Sequence, residues 1–250
     1  MPVQLTATYR DALEYAIELH AGQTRKGTDI PYISHVLAVS ATVLEFGGTE
    51  EEAIAALLHD AVEDAGGQAT RAQIAERFGE AVAQIVDGCS DDSPEIGGQK
   101  KPWRIRKNAH IAHLKKASSS VSLVTAADKL HNARALASDF RYLGDALWDR
   151  FNASREDILW YYGAVVDVLD AGDMRLHDRM PDGTTTLTDL DRLIDELEVA
   201  VEDLIVDVGL MTMQSAFEDA LQENALDFFG PIDMQEQLEQ SRGSNQPPAH

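Results

Sequence analysis

Residues 57–64 read Leu57-Leu58-His59-Asp60-Ala61-Val62-Glu63-Asp64, which sets four ionisable groups within six positions of an otherwise apolar stretch. Such groups are costly to bury unless they bind an ion or one another. An adjacent imidazole and carboxylate suit a divalent metal. Glu63 and Asp64 come one helical turn further on, and residues three and four apart share a helical face. Two other segments can complete a metal site. His35 follows Pro31-Tyr32-Ile33-Ser34 at a helix start, and Asp128 lies in the apolar run Thr125-Ala126-Ala127-Asp128-Lys129-Leu130-His131-Asn132. Together His35, His59, Asp60 and Asp128 form a mixed nitrogen and oxygen donor set for one Mn, Fe or other first-row divalent ion. The thiolates that favour structural zinc are missing from it. An ion accepting six ligands keeps room for water and a substrate oxygen, lowers the pKa of that water and polarises a phosphoryl group. Glu63 and Asp64 can then orient or deprotonate the water.

Each residue alone has a plainer reading. A single histidine on a helix is usually packed or at the surface, and Asp128 by itself could cap a turn or pair with Lys129. It is the combination that marks a site. His131 can support a ligand, whereas His20, His110 and His113 read as structural or surface groups. Arg25 and Lys26 sit side by side in a loop and can reach an anion, the guanidinium in bidentate fashion and the ammonium as a point charge. Asn132 falls one turn after Asp128 on the same face. Arg104, Lys107 and Arg155 are further candidates for phosphate contact. Trp160-Tyr161-Tyr162 reads as core.

The elements that must position these groups are almost all helical. Ala12, Leu13, Ala16, Ile17 and Leu19 have helical spacing within residues 9–21. A loop with Gly22, Gly27 and Pro31 leads to a second helix over 32–46, stopped by Gly47-Gly48. Thr49 with Glu52 predicts a capping box for a third helix running to Asp64. Thr70 with Gln73 predicts a similar start for the next. Residues 90–102 read as a polar loop, followed by helices over 103–116, 121–136 and 155–169. No βαβ alternation, Gly-rich phosphate loop or repeat is present.

Composition bounds the rest. The chain has 250 residues, one cysteine (Cys89) and a net charge of −22. It cannot form an intrachain disulfide, and a reducing cytoplasm is the expected location. No apolar run approaches the length that crosses a bilayer, and the first 20 residues show no signal-peptide core. Residues 171–250 hold 18 acids and 4 bases, so nucleic acid is expected to be a poor partner, and the missing apolar run leaves no membrane partner expected either. One stretch runs the other way: residues 100–116 hold seven bases and no acid, enough for a small polyanion. We divide the chain into a catalytic domain over 1–170, an acidic and mostly helical extension over 171–240, and a disordered tail over 241–250. A homo-oligomer stays open.

Four stretches carry a family resemblance: His20-Ala21-Gly22-Gln23-Thr24-Arg25-Lys26, Pro31-Tyr32-Ile33-Ser34-His35, Ala56-Leu57-Leu58-His59-Asp60-Ala61-Val62-Glu63-Asp64 and Ala127-Asp128-Lys129-Leu130-His131-Asn132. In this order they resemble the HD superfamily of metal-dependent phosphohydrolases. More narrowly, they resemble the hydrolase domain of RelA/SpoT homologues and the small alarmone hydrolases, over roughly residues 5–170. The resemblance implies an all-α HD-domain bundle with one Mn²⁺ held by His35, His59, Asp60 and Asp128. It implies Glu63 and Asp64 as the catalytic pair, and Arg25, Lys26 and Asn132 on a purine nucleotide carrying pyrophosphate. The implied reaction removes the 3′-diphosphate of guanosine tetra- or pentaphosphate (ppGpp, pppGpp), giving GDP or GTP and pyrophosphate. The chain departs at Gly88-Cys89-Ser90-Asp91, where long members read Gly-Val-Thr-Lys; the Pro102-Trp103-Arg104 segment can substitute. Two alternatives stand beside this reading: the same chemistry on adenosine alarmones or the NADPH 2′-phosphate, and a non-catalytic nucleotide sensor.

Overall fold

The computed structural model describes residues 3–90, 101–171, 178–179, 185–186 and 188–229. The first compact unit, Met1–Asp207, opens with four helices that build the core: α1 (Ala7–Leu19), α2 (Ile33–Glu45), α3 (Glu50–Leu58) and the single turn α4 (Ala61–Asp64). Thr6 caps α1 by accepting from Thr8 N. The predicted capping box of α3 is formed, with Glu52 N donating to Thr49 Oγ1 at 3.3 Å and Thr49 N to Glu52 Oε2 at 2.7 Å. Between α2 and α3 the chain turns through Gly47 at φ +75°. A Cβ on the next glycine, Gly48, would lie 2.5 Å from Val43 Cγ1, so only glycine fits.

The third helix does not run unbroken to Asp64 as expected. It stops at Leu58, and His59 and Asp60 form a turn before α4. Next come α5 (Gln68–Phe78) and α6 (Glu80–Cys89). Gly67 precedes α5 at φ +61°, and the Thr70 hydroxyl bonds back to Ala65 O rather than capping.

Two longer helices follow α7 (Trp103–Leu114): α8 (Ser119–Leu143) and, after a 3-10 stretch at Gly144–Arg150, α9 (Arg155–Ala171). Val36, Val39 and Val43 of α2, Ala53–Leu58 of α3, Val82 and Val86 of α6, and Val124 and Ala127 of α8 are all buried. These aliphatic side chains form the centre of the bundle. Helices α6 and α8 cross closely at Gly88, where a Cβ would meet Val121 Cγ2 at 2.5 Å. A two-residue antiparallel pair, β1 (Asp178–Arg179) with β2 (Thr185–Thr186), precedes α10 (Asp189–Phe229).

The compact unit extends past the expected boundary at residue 170. Along the first half of α10, Leu193, Ile194, Leu197, Val201 and Leu204 are buried at helical spacing. Thr188 and Asp191 cap this helix reciprocally. Arg134 and Arg141 of α8 ion-pair with Glu196 and Asp207 of α10. The second unit begins at Val208 and continues α10 to Phe229. The expected tail at 241–250, most of the polar loop over 90–102, and the residues around Asp182-Gly183 lie outside the described residues. Among the described residues no helix is long and apolar enough to cross a membrane.

Candidate metal centre and anion cavities

His59 and Asp60 sit at the join of α3 and α4, both in right-handed helical conformation. They meet His35 from α2 and Asp128 from α8. His59 Nε2 lies 3.0 Å from Asp60 Oδ2 and 3.7 Å from Asp128 Oδ1. His35 Nε2 lies 3.2 Å from Asp128 Oδ1 and 3.8 Å from Asp60 Oδ2. Ligand atoms of His35, His59 and Asp128 all fall within 4.8 Å of one another.

Both Nε2 atoms are buried without a hydrogen-bond partner. The tautomers follow from the other ring nitrogens. His59 Nδ1 lies 2.9 Å from Ala56 O, a group that only accepts, so Nδ1 carries the proton. His35 Nδ1 meets His131 Nδ1 at 2.9 Å. For His35 to present a bare Nε2, its Nδ1–H donates to His131. Burial, then the charges of His35 and Arg25, lower the His131 pKa to about 4, so its ring stays neutral and able to accept. Two nitrogen lone pairs facing two carboxylates repel one another unless a cation lies between them, so these residues fit a divalent ion.

The carboxylates are held ionised. Burial opposes charge on Asp128, but Lys129 Nζ at 2.6 Å, with His35 and His59, holds its carboxyl well below the usual range. Burial also opposes charge on Asp60, and His59 holds it low. The Tyr32 hydroxyl donates to Asp60 Oδ2, and Asn132 Nδ2 donates to Asp128 Oδ1. Burial disfavours a charged His59, yet Asp60 and Asp128 raise its pKa well above normal. With no ion present that field holds a proton on His59, and a metal ion held by these residues would take that proton's place. Glu63 and Asp64 lie on α4 at the exposed rim, and Gln23 Nε2 donates to Asp64 Oδ2 at 2.8 Å.

Two cavities adjoin this centre. One, of about 260 Å³, is lined by Arg25, Tyr32, Asn132 and Arg150. The other, of about 490 Å³, is lined by Arg106, Lys107, Lys129 and the aromatic rings of Trp103 and Tyr161. Lys26, Phe151 and Tyr162 line both. Lys26 Nζ sits 5.3 Å from the centre of the Phe151 ring, and Lys107 Nζ 4.6 Å from that of Tyr161. Arg25 Nη2 donates to Asn132 Oδ1 at 2.8 Å, joining the loop to α8.

Arg104 and Arg155 line neither cavity. Arg104 pairs with Asp157 and stacks on Trp160, while Arg155 pairs with Asp145 and Glu156. Helix phase explains the difference: Arg106 and Lys107 line the cavity with Tyr161, while Arg104, two and three positions earlier on α7, lies against Asp157 and Trp160. Tyr161 and Tyr162, read as core, are buried and also wall the cavities. Sequence reasoning passed over Tyr32, Gln23 and His20 as well. Their signal was position, since all three fall within or between the motif stretches that carry Arg25 and His35.

A sequence profile described as HD domain matches residues 12–159. This chain belongs to the HD domain family. Its HD domain is 37% identical over 129 residues to the guanosine-3′,5′-bis(diphosphate) 3′-pyrophosphohydrolase MESH1 of Xenopus tropicalis, covering 50% of this chain and 68% of that protein. It is 37% identical over 126 residues to a probable GTP pyrophosphokinase of Mycobacterium leprae, but spans only 15% of that longer relative. A solved structure of a metazoan orthologue of SpoT, described as hydrolysing ppGpp and acting in starvation responses, superposes with a TM-score of 0.56 at 26% identity. The superposition covers 78% of this chain and 96% of that one.

Proposed function

We propose that this HD domain chain hydrolyses the 3′-diphosphate of ppGpp and pppGpp, releasing pyrophosphate and GDP or GTP. The observation that carries the reading is a cation-seeking set of two converging imidazole nitrogens and two carboxylates, whose partners Tyr32, Asn132 and Lys129 line cavities that also hold lysine, arginine and aromatic rings. His35, His59, Asp60 and Asp128 would hold one divalent ion, with Mn²⁺ the proposed species because the donors are nitrogen and oxygen only. When bound, such an ion polarises the phosphoryl oxygen and lowers the pKa of water.

The chain's own groups supply the rest. Water attacks the phosphorus next to the ribose, the bond from phosphorus to the 3′-oxygen breaks, and that oxygen leaves with a proton. Asp64 and Glu63 hold the water and accept its proton. Asn132 and Arg25 fix the 3′-diphosphate beside Asp128. Lys26, Arg106 and Lys107 balance the remaining phosphates, and the seats of the two lysines over aromatic rings keep them in the cavity. The proposed location is the cytoplasm, since Cys89 is the sole cysteine and burial pushes its thiol up to about 11.

The test is pyrophosphate release from ppGpp with Mn²⁺ added, set beside pyrophosphate release from the adenosine analogue and orthophosphate release from NADPH. Turnover of ppGpp that disappears in Asp60→Ala supports the assignment. Faster turnover of another substrate reassigns the base, and tight binding without turnover makes the chain a sensor.

A further inference from the structure

The side chain of His20 is 3% exposed, yet it touches no group to which a catalytic role was assigned above. Its ring lies against Tyr32, 5.0 Å between centroids, at the end of α1. Its Nδ1 is 2.7 Å from Gln23 Oε1, and Gln23 Nε2 is 2.8 Å from Asp64 Oδ2. The direction of this chain of bonds is forced. An ionised carboxylate only accepts, so the Gln23 amide must turn its NH₂ to Asp64. Its carbonyl oxygen therefore faces His20, and His20 Nδ1 must donate. That leaves His20 Nε2 bare, and it is buried with no hydrogen-bond partner.

We infer that His20 and Gln23 are positioning residues for Asp64: the imidazole locks the Gln23 amide in one orientation, and the amide locks one carboxylate oxygen. Asp64 sits on a helix of four residues at the exposed rim, where its own side chain would sample several rotamers. With Oδ2 engaged, Oδ1 alone remains to take a proton, in a fixed direction. An orphaned buried nitrogen lone pair costs stability. Keeping it is explained by the need for a donor at Nδ1 with no competing proton at Nε2. The surrounding loop does not depend on this contact. Gln23 O accepts from Tyr32 N, and Arg25 N donates to Ile30 O, through the backbone alone.

The inference rests on the hydrolase reading for its consequence but not for its geometry, so two measurements separate them. The first needs no turnover. Proton–nitrogen correlation spectra should show His20 as the Nδ1–H tautomer, and Gln23→Met should release it to a mixture; an Nε2–H tautomer in the wild-type chain overturns the assignment. The second is kinetic. Gln23→Met, partly exposed and close in volume, should lower kcat about tenfold to a hundredfold with KM changed less than twofold, and should keep the metal content. His20→Asn, which retains a donor near Nδ1, should recover most of the rate lost in His20→Leu. In an Asp64→Asn background Gln23→Met should cost less than twofold more. An undiminished loss in that background, or a rise in KM alone, would mean that His20 and Gln23 only brace the Arg25 loop. An inactive wild-type chain with the Nδ1–H tautomer present would sink the hydrolase reading and leave the positioning chain standing.

Discussion

Replacing Tyr32 by Phe removes one hydroxyl and leaves the ring. That hydroxyl donates to Asp60 Oδ2, the oxygen nearest His59 Nε2. A hydrogen bond to a charged acceptor contributes about 1.5–3 kcal/mol. At about 1.4 kcal/mol per tenfold change, this corresponds to roughly a tenfold to 150-fold loss in metal affinity. Asp60 is 26% exposed at its side chain, so water can replace part of the lost bond. The lower end, roughly tenfold to thirtyfold, is the expected result, within the usual range for residues that support a metal ligand. The ring contacts with His20 and His35, 5.0 and 5.4 Å between centroids, survive the change. The metal-free melting temperature should therefore move by only a few degrees. Competition for Mn²⁺ against a fluorescent chelator gives the dissociation constant directly. A constant within twofold of the wild-type value would refute the claim that Tyr32 holds Asp60 in its binding pose.

Glu63→Gln should retain the metal and lose about two to four orders of magnitude in kcat; metal analysis and initial rates check this, and an unchanged rate removes Glu63 from the chemistry. Lys107→Ala should raise KM for ppGpp about tenfold while Arg104→Ala changes it less than twofold, since only Lys107 lines the cavity. His131 has its folded pKa depressed to about 4, mainly by burial, against an ordinary 6.5. Between those values the unfolded chain binds the extra proton, so stability is complete above about pH 6.5 and falls as pH drops toward 4. Urea midpoints in chelator should show this slope, and His131→Gln should flatten it. Truncation after residue 171 strips Leu193, Ile194, Leu197, Val201 and Leu204, each at most 2% exposed. The lost burial is on the order of 10 kcal/mol, comparable to the whole stability of a domain, so that fragment should aggregate. A fragment ending at residue 214 should melt cooperatively.

The metal-seeking groups were legible because their chemistry conflicts with their surroundings. Histidine and aspartate inside Leu57-Leu58 and Ala126-Ala127 need a reason to be buried, and a shared cation is one. The helix break after Leu58 was not legible, since His59-Asp60-Ala61-Val62 carries no glycine or proline and only tertiary contacts favour the turn. Cavity lining was half legible: Arg25, Lys26, Asn132 and Lys107 line it, but Arg104 and Arg106 differ by two positions that only a known helix phase can sort. Tyr161 and Tyr162 show that a buried aromatic ring can be core on one side and wall on the other. The first half of α10 was read as an appendage because of its many acids. Its Leu193, Leu197, Val201 and Leu204 nonetheless form a single stripe, and their spacing was the signal that mattered.

The ammonium of Lys129, drawn in beside Asp128, sets the order in which the centre can be loaded. Without an ion, Lys129 and the proton held on His59 together balance Asp60 and Asp128. A dication taking that proton's place would leave one positive charge beside the cavities. Metal first and nucleotide second is thus the electrostatically favoured order. The apo chain should accordingly bind nucleotide more weakly than the loaded chain.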